Sequence, residues 1–297
     1  MFRLRHILTL LLSLMVAQLM GQTPQETTIN ASHRRYVTPT GAYSNRGTTW
    51  ADAKNNIQDA INDLVASNLL PGEVWVKEGT YRPTESTESG GSSLFASFKI
   101  PAGITVRGGF AGNEVTLNDR MVKYIDKDGK TVGTAKIGDT FDKDYTEKRF
   151  LHPTILTGDL SSRQANFTWN DQSHRYATQF YGNAYHVVWF ATNGFYSNGR
   201  AKALRLNDAS WTATLEGVTI MRGYAYNSSL EGHPHNAYGG GAYMVDGSMM
   251  RDVRIECCEA SRNGGAIYMD GGGVCDHVFV TTSQAQGIGT SYGYGGG

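Results

Sequence analysis

The sequence predicts an all-β fold, a right-handed parallel β-helix or solenoid with one N-terminal capping helix. Three observations carry that expectation. Two landmarks late in the chain recur every 24 or 25 residues, the spacing of one structural unit per repeat. The composition of 36 glycines and 16 tyrosines with only 7 prolines favours many short strands joined by tight turns. Only one stretch has the three- and four-residue apolar spacing of a helix.

The start of the chain reads as a secretory signal. Arg3, Arg5 and His6 precede an almost unbroken apolar run over residues 7–20, and Gly21 before Gln22, Thr23 and Pro24 offers a cleavage point. The run falls short of the roughly 20 residues that span a bilayer. Residues 1–21 are therefore expected to be removed, leaving a secreted or cell-surface protein that begins near Gln22 with a polar leader to Arg34. No cysteine sits at the cleavage point to take a lipid. Loss of Arg3 and Arg5 leaves 25 of the 27 basic residues against 27 acidic ones, a formal charge of −2. So neutral a chain is not a general nucleic-acid binder.

Residues 36–40 read as a short strand and residues 41–49 as a Gly/Asn/Ser turn. Trp50, Ala53, Ile57, Ala60, Ile61 and Leu64 then mark an amphipathic helix, with Thr48 or Thr49 as its cap and Pro71–Gly72 as its stop. Residues 73–77 return as a strand with Val74 and Val76 on one face. A lone helix ahead of many strands is what a stacked sheet needs where its first edge would otherwise be open. Residues 35–80 are thus read as the N-terminal cap and first strands, and residues 81–297 as successive coils.

Further strands are expected at 97–100, 104–107, 154–157, 186–190, 214–220, 250–255 and 275–280. Charge-rich residues 113–150 and polar, aromatic residues 161–181 break the rhythm and read as surface insertions, since neither carries enough apolar residues for a core. Residues 215–220, 250–255 and 275–280 align at offsets of 35 and 25. Gly240–Gly241–Ala242–Tyr243 matches Gly264–Gly265–Ala266–Ile267 at 24, as Asp246–Gly247 matches Asp270–Gly271. Stacked coils would place Val218, Val253 and Val278 in one inward column, about 4.8 Å apart. The leucine and asparagine spacing of leucine-rich repeats is absent, and a propeller blade needs about 40 residues.

The runs NGGAIYM (263–269) and GGGAYM (239–244) resemble the Gly-Gly-Ala-Ile element of the polymorphic outer-membrane-protein repeat family. YVTPTG (36–41), TTWADA (48–53), IQDAI (57–61), VKEGTYRPT (76–84), ITVRGGFAGNE (104–114), PTILTGDL (153–160) and NAYHVV (183–188) are similar to exported β-helix repeat proteins of Gram-negative bacteria. The resemblance covers most of the mature chain and rests on the order of these motifs. It implies a secreted or surface-displayed adhesin or glycan-binding module, anchored at the outer membrane by a C-terminal region. The Phe-x-x-Asn half of the repeat is missing at residues 258–261, and Tyr292–Gly297 reads as the opening of a further repeat, so a truncated C-terminus is expected.

Candidate chemistry is sparse, and no catalytic residue is assigned. The enzymatic alternative is a pectate-lyase-like polysaccharide lyase or a glycoside hydrolase, which needs clustered carboxylates. At an offset of 24, Asp246 and Asp270 would lie in neighbouring coils, as would Asp252 and Asp276. Calcium is the ion that Asp246 and Asp270 would take, and no other cofactor is implied. Both precede glycine, however, which is ordinary turn chemistry. Arg251 and Arg254 are poor general bases because arginine stays protonated. His233 and His235 lack partner ligands at metal-site spacing, and Asp126, Asp128 and Gly129 match only part of a calcium loop. The odd set Cys257, Cys258 and Cys275 argues against a disulfide framework, with a Cys258–Cys275 bridge left to geometry. Tyr181, Tyr185, Tyr224, Tyr226, Tyr238, Tyr243 and Tyr268 gather around the glycine-rich half. Of these, Tyr243 and Tyr268 are the ligand-binding candidates, facing a polysaccharide or a host or neighbouring cell surface.

Overall fold

The computed structural model describes residues 29–87, 92–161, 182–190, 212–226 and 237–285. The expected signal at 1–21, nearly all of the insertion at 161–181, the loop with His233 and His235, and residues 292–297 lie outside them. Every element below belongs to the unit that starts at Ala31.

The chain opens with β1 (Arg34–Val37), α1 (Ile57–Ala66), β2 (Gly72–Lys77), β3 (Gly79–Tyr81), β4 (Glu85–Ser86), β5 (Ala96–Lys99) and β6 (Ile104–Phe110). An inserted trio follows: β7 (Met121–Ile125), β8 (Thr131–Lys136) and β9 (Glu147–Phe150). Next come β10 (Thr154–Thr157), β11 (Val188–Trp189), β12 (Ala213–Glu216), β13 (Val218–Met221) and β14 (Tyr224–Ala225). The last strands are β15 (Ala242–Val245), β16 (Ser248–Arg251), β17 (Arg254–Glu256), β18 (Glu259–Ala260), β19 (Ile267–Asp270), β20 (Val274–Asp276), β21 (Phe279–Thr281) and β22 (Gln284–Ala285).

The protein is all-β, built mainly of parallel sheets. Their orders are β1-β2-β6-β12-β16-β20, β3-β10-β13-β17-β21 and β14-β18-β22, and a fourth runs β4-β5-β11-β15-β19 with only the β4–β5 pair antiparallel. In a parallel ladder residues of equal rank face the same side, so columns form. Val74, Val106, Leu215 and Met250 make one buried column, and Leu156, Ile220 and Ile255 another. Val218 and Val253 are also buried, and Phe279 N donates to Val253 O at 2.9 Å, which brings Val278 alongside. The offsets of 35 and 25 expected for these segments are the strand register itself.

Several elements differ from expectation. The helix begins at Ile57, because the Asn56 side chain accepts from Gln58 N (2.8 Å) and Asp59 N (3.3 Å) and so satisfies its first free donors. Trp50 lies before it, packed with Tyr36, Trp75 and Phe110. Ile57, Ala60, Ile61 and Leu64 face the same core as Val37, Val74 and Val76. The strands expected at 36–40 and 186–190 are Arg34–Val37 and Val188–Trp189.

The runs 214–220, 250–255 and 275–280 are each two strands, broken at Gly217 (φ 70°), Asp252 (φ 50°) and His277 (φ 52°). These three form one column of left-handed corners. Arg222 (φ 62°), Cys257 (φ 52°) and Thr282 (φ 48°) form a second. Each turns the chain from one sheet to the next with one residue, and at non-glycine positions costs about 1 kcal/mol.

The insertion at 113–150 holds a three-stranded antiparallel sheet, β8-β7-β9, with Val122, Tyr124 and Ile125 buried. Phe150 anchors it. A Cβ on Gly109 would fall 2.2 Å from the Phe150 ring and one on Gly217 3.0 Å from it, so the ring occupies space that two glycines leave open.

Candidate functional site

The expected ligand-binding tyrosines lie in one column of the β11-β15-β19 sheet. Trp189, Tyr243 and Tyr268 are direct ladder partners, with ring centroids 4.6 and 5.3 Å apart. Tyr238 continues the group 4.8 Å from Tyr268. Exposure divides them. Trp189 and Tyr243 are each only 2% exposed, so Tyr243 supports its neighbours from within the stack, whereas Tyr238 and Tyr268 are half-buried and present ring surface. Burial and the nearby Asp270 raise the Tyr243 phenol above its ordinary range, and burial and Asp270 raise Tyr268 too. Behind them His186, its ring tilted against Trp189 with centroids 5.0 Å apart, donates from Nδ1 to Gly239 O at 2.9 Å; burial pushes its imidazole down to about 4, so it is neutral near pH 7.

The register in this sheet is 25, which corrects the offset of 24. Tyr243 meets Tyr268, Met244 meets Met269 and Val245 meets Asp270. Asp246 therefore leaves the column that holds Asp270 and enters the turn between β15 and β16, with Gly247 at φ 80°. The same register sets Asp276 opposite Arg251, while Asp252 N donates to Asp276 O at 3.0 Å. Among the described residues no three His, Cys, Asp or Glu side chains group so as to hold a metal ion. Asp126 closes the tight turn between β7 and β8, accepting from Asp128 N and Lys130 N, both at 2.9 Å. Cys257, Cys258 and Cys275 are free thiols.

A second site has no local motif. A cleft of about 290 Å³ lies between β9 and the outer face of β10, β13, β17 and β21. Two ion pairs cross it, Lys148 to Asp252 at 3.2 Å and Arg254 to Glu147, and Arg254 also pairs with Glu256 of its own strand. Arg149 holds Glu147 from its own strand through two hydrogen bonds, 2.6 and 2.7 Å. Burial alone would raise the Glu147 carboxyl, but Arg149 and Arg254 outweigh it and keep it below the usual range. His277, at the cleft margin, has its Nδ1 2.8 Å from Asp276, which also accepts from Arg251 at 3.1 Å. Sequence reasoning missed this cleft because the Glu147–Arg254 pair that bridges it joins residues 107 positions apart. The available signal was the run Glu147–Lys148–Arg149, where alternating charge replaces the polar/apolar alternation of an ordinary surface strand.

A charged column lines the first sheet. Arg107, Glu216, Arg251 and Asp276 are successive ladder partners of alternating sign, and Glu73, two residues before Trp75, the ladder partner of Arg107, adds a carboxylate on the same face. Arg107 bridges Glu73 (3.1 Å) and Glu216, and Arg120 from the insertion reaches Glu216 at 2.6 Å. Burial would raise the Glu216 carboxyl, yet Arg107 and Arg120 hold it below the ordinary range.

No family model, curated protein or solved structure matches the chain. No helix among the described residues is long and apolar enough to cross a membrane.

Proposed function

We propose that the chain is an exported right-handed parallel β-helix, closed at its first end by α1, that works as an adhesin or glycan-binding module on a polysaccharide or a host or neighbouring cell surface. The observation that carries this reading is the in-register outer column ending in Tyr268. Tyr268 is the member of this column open to a ligand, and the buried rings of Tyr243 and Trp189 beneath it, at the roughly 4.8 Å spacing of adjacent strands, hold it in place. Tyr238 and Tyr268 supply a partly open aromatic surface there, suited to the flat face of a sugar. The resemblance to the polymorphic outer-membrane-protein repeat family supports display at the outer membrane, with anchoring supplied from outside the described residues.

The binding reading is preferred over catalysis because the cleft carboxylates are engaged: two arginines keep Glu147 ionised, so it is not poised as a general acid, and Glu256 bonds Arg254. The test passes the purified protein over immobilised polysaccharides and fixed cells and examines the polymer afterwards. Retention with the polymer unchanged, and weakened by Tyr268→Ala, is expected. Shortened or unsaturated products that vanish with Asp270→Ala or a chelator would replace this reading with a lyase or hydrolase.

A further inference from the structure

We infer that the cleft beside β9 binds an anionic saccharide, a sugar chain bearing carboxylate or sulfate groups; this rests on the surface-binding reading and names the ligand that one of its sites takes. The first observation is a like-charge pair. Lys123 of β7 and Arg149 of β9 are direct partners in the antiparallel ladder, and both line the cleft. Like charges placed directly opposite each other destabilise a sheet unless something neutralises them. Arg149 has Glu147; the half-buried Lys123 side chain has no ion pair or hydrogen bond among the described residues.

The second observation is that the carboxylates present are already shared. Glu147 serves both Arg149 and Arg254, Glu256 takes Arg254 through Nε, and Asp252 takes Lys148. Four permanent cations thus line a cleft holding three carboxylates. Lys123 Nζ, Arg149 Nη1 and Arg254 Nη2 remain as donors for an incoming oxyanion, the kind of charge-assisted bond that is stronger than a neutral one.

The rest of the lining favours a sugar over an acidic peptide. A peptide entering here would add to the open edge of β9, but that edge reads Glu-Lys-Arg-Phe, and charged edge strands resist strand addition. The opposite face offers the Thr219 hydroxyl and the half-buried Phe279 ring, a mixture of polar and aromatic surface that orients a hydroxyl-rich ring.

The experiment is calorimetric titration of the purified protein with an oligogalacturonate, a sulfated galactan oligosaccharide, neutral galactotriose and hexaglutamate. At least one acidic sugar is expected to bind at least about tenfold more tightly than the neutral one, more weakly as salt rises, and the better of the two names the acid group. Lys123→Gln is expected to weaken that binding about tenfold or more, while Lys130→Gln in the exposed β7–β8 turn leaves it unchanged. Glu147→Gln is expected to tighten it by releasing Arg149 and Arg254. If that variant fails to fold, Lys123→Gln decides alone, since it breaks no existing bond. Equal binding of the neutral sugar, hexaglutamate matching the acidic sugars, or an unaltered Lys123→Gln protein would overturn the proposal. Cell-surface retention lost in Tyr268→Ala with no acidic-sugar binding at all would sink the cleft and leave the surface-binding reading standing.

Discussion

Replacing Glu216 by glutamine keeps the shape of the side chain and deletes one buried charge. Its side chain is 5% exposed and stands between the guanidinium groups of Arg107 and Arg120, themselves 8% and 3% exposed. Breaking a buried pair from one side costs about 3–5 kcal/mol, because the partner is left charged and out of water. Two features place Glu216→Gln near the lower figure. Arg107 keeps Glu73, and Arg120 keeps the carbonyls of Gly108 (3.2 Å) and Leu117 (3.1 Å). About 3 kcal/mol corresponds to a fall of about 6–12 °C in Tm for a chain of this size.

The same group predicts a pH dependence. The folded Glu216 carboxyl titrates below its unfolded value, so its contribution is complete above the ordinary glutamate range and is lost as pH falls through the folded value. Urea midpoints measured from pH 7 down to pH 3 should therefore converge for wild type and Glu216→Gln at the acid end. A change under about 1 kcal/mol at pH 7 is the size of an exposed pair and would refute the buried network. A constant difference at all pH values would refute the pH argument.

Two further outcomes follow from packing. Gly240→Ala would set a Cβ 2.2 Å from Glu259 O and 2.8 Å from Gly265 O, so a loss of about 1–3 kcal/mol or more is expected by thermal melting; a variant as stable as wild type would show that these strands are further apart. Burial pushes the Cys258 thiol up to about 12, whereas Cys275 is exposed, so a thiol reagent is expected to label Cys275 first and Cys258 only on unfolding. Mass mapping that finds Cys258 modified first in the native protein would contradict its position in the core.

Much of the sheet was legible because its apolar residues recur: Thr154–Thr157 was read to the residue, and the alignment of residues 215–220, 250–255 and 275–280 is the observed pairing. The corners were not. A single left-handed residue redirects the chain without interrupting the apolar run, and Asp252 and His277 carry no glycine to announce it. The offset of 24 came from matching Gly-Gly-Ala, yet Gly241 stacks on Ala266, where a Cβ on the glycine would meet Ala266 O at 2.5 Å; the preserved pair is Tyr-Met. That one-residue slip sets Asp246 beside Gly271 and Gly272 in place of Asp270. The helix start was misplaced because the apolar spacing from Trp50 extends past the true cap: Trp50 is held by aromatic neighbours distant in sequence, and Asn56 fixes the end locally. The cleft depends on Glu147 meeting Arg254 across 107 residues, a contact no local pattern encodes.

In the last parallel strands residue n stands beside residue n + 25, and one cross-link tests this register. In this register Met250 faces Cys275, and Arg251 faces Asp276. In a background of Cys257→Ser and Cys258→Ala, Met250→Cys is expected to form a disulfide with Cys275 under mild oxidation, since adjacent strands lie about 4.8 Å apart, within disulfide reach. Arg251→Cys, on the opposite face, is expected to remain unlinked. A bond from position 251 in place of 250, read by peptide mass mapping, would contradict the register and the columns built on it.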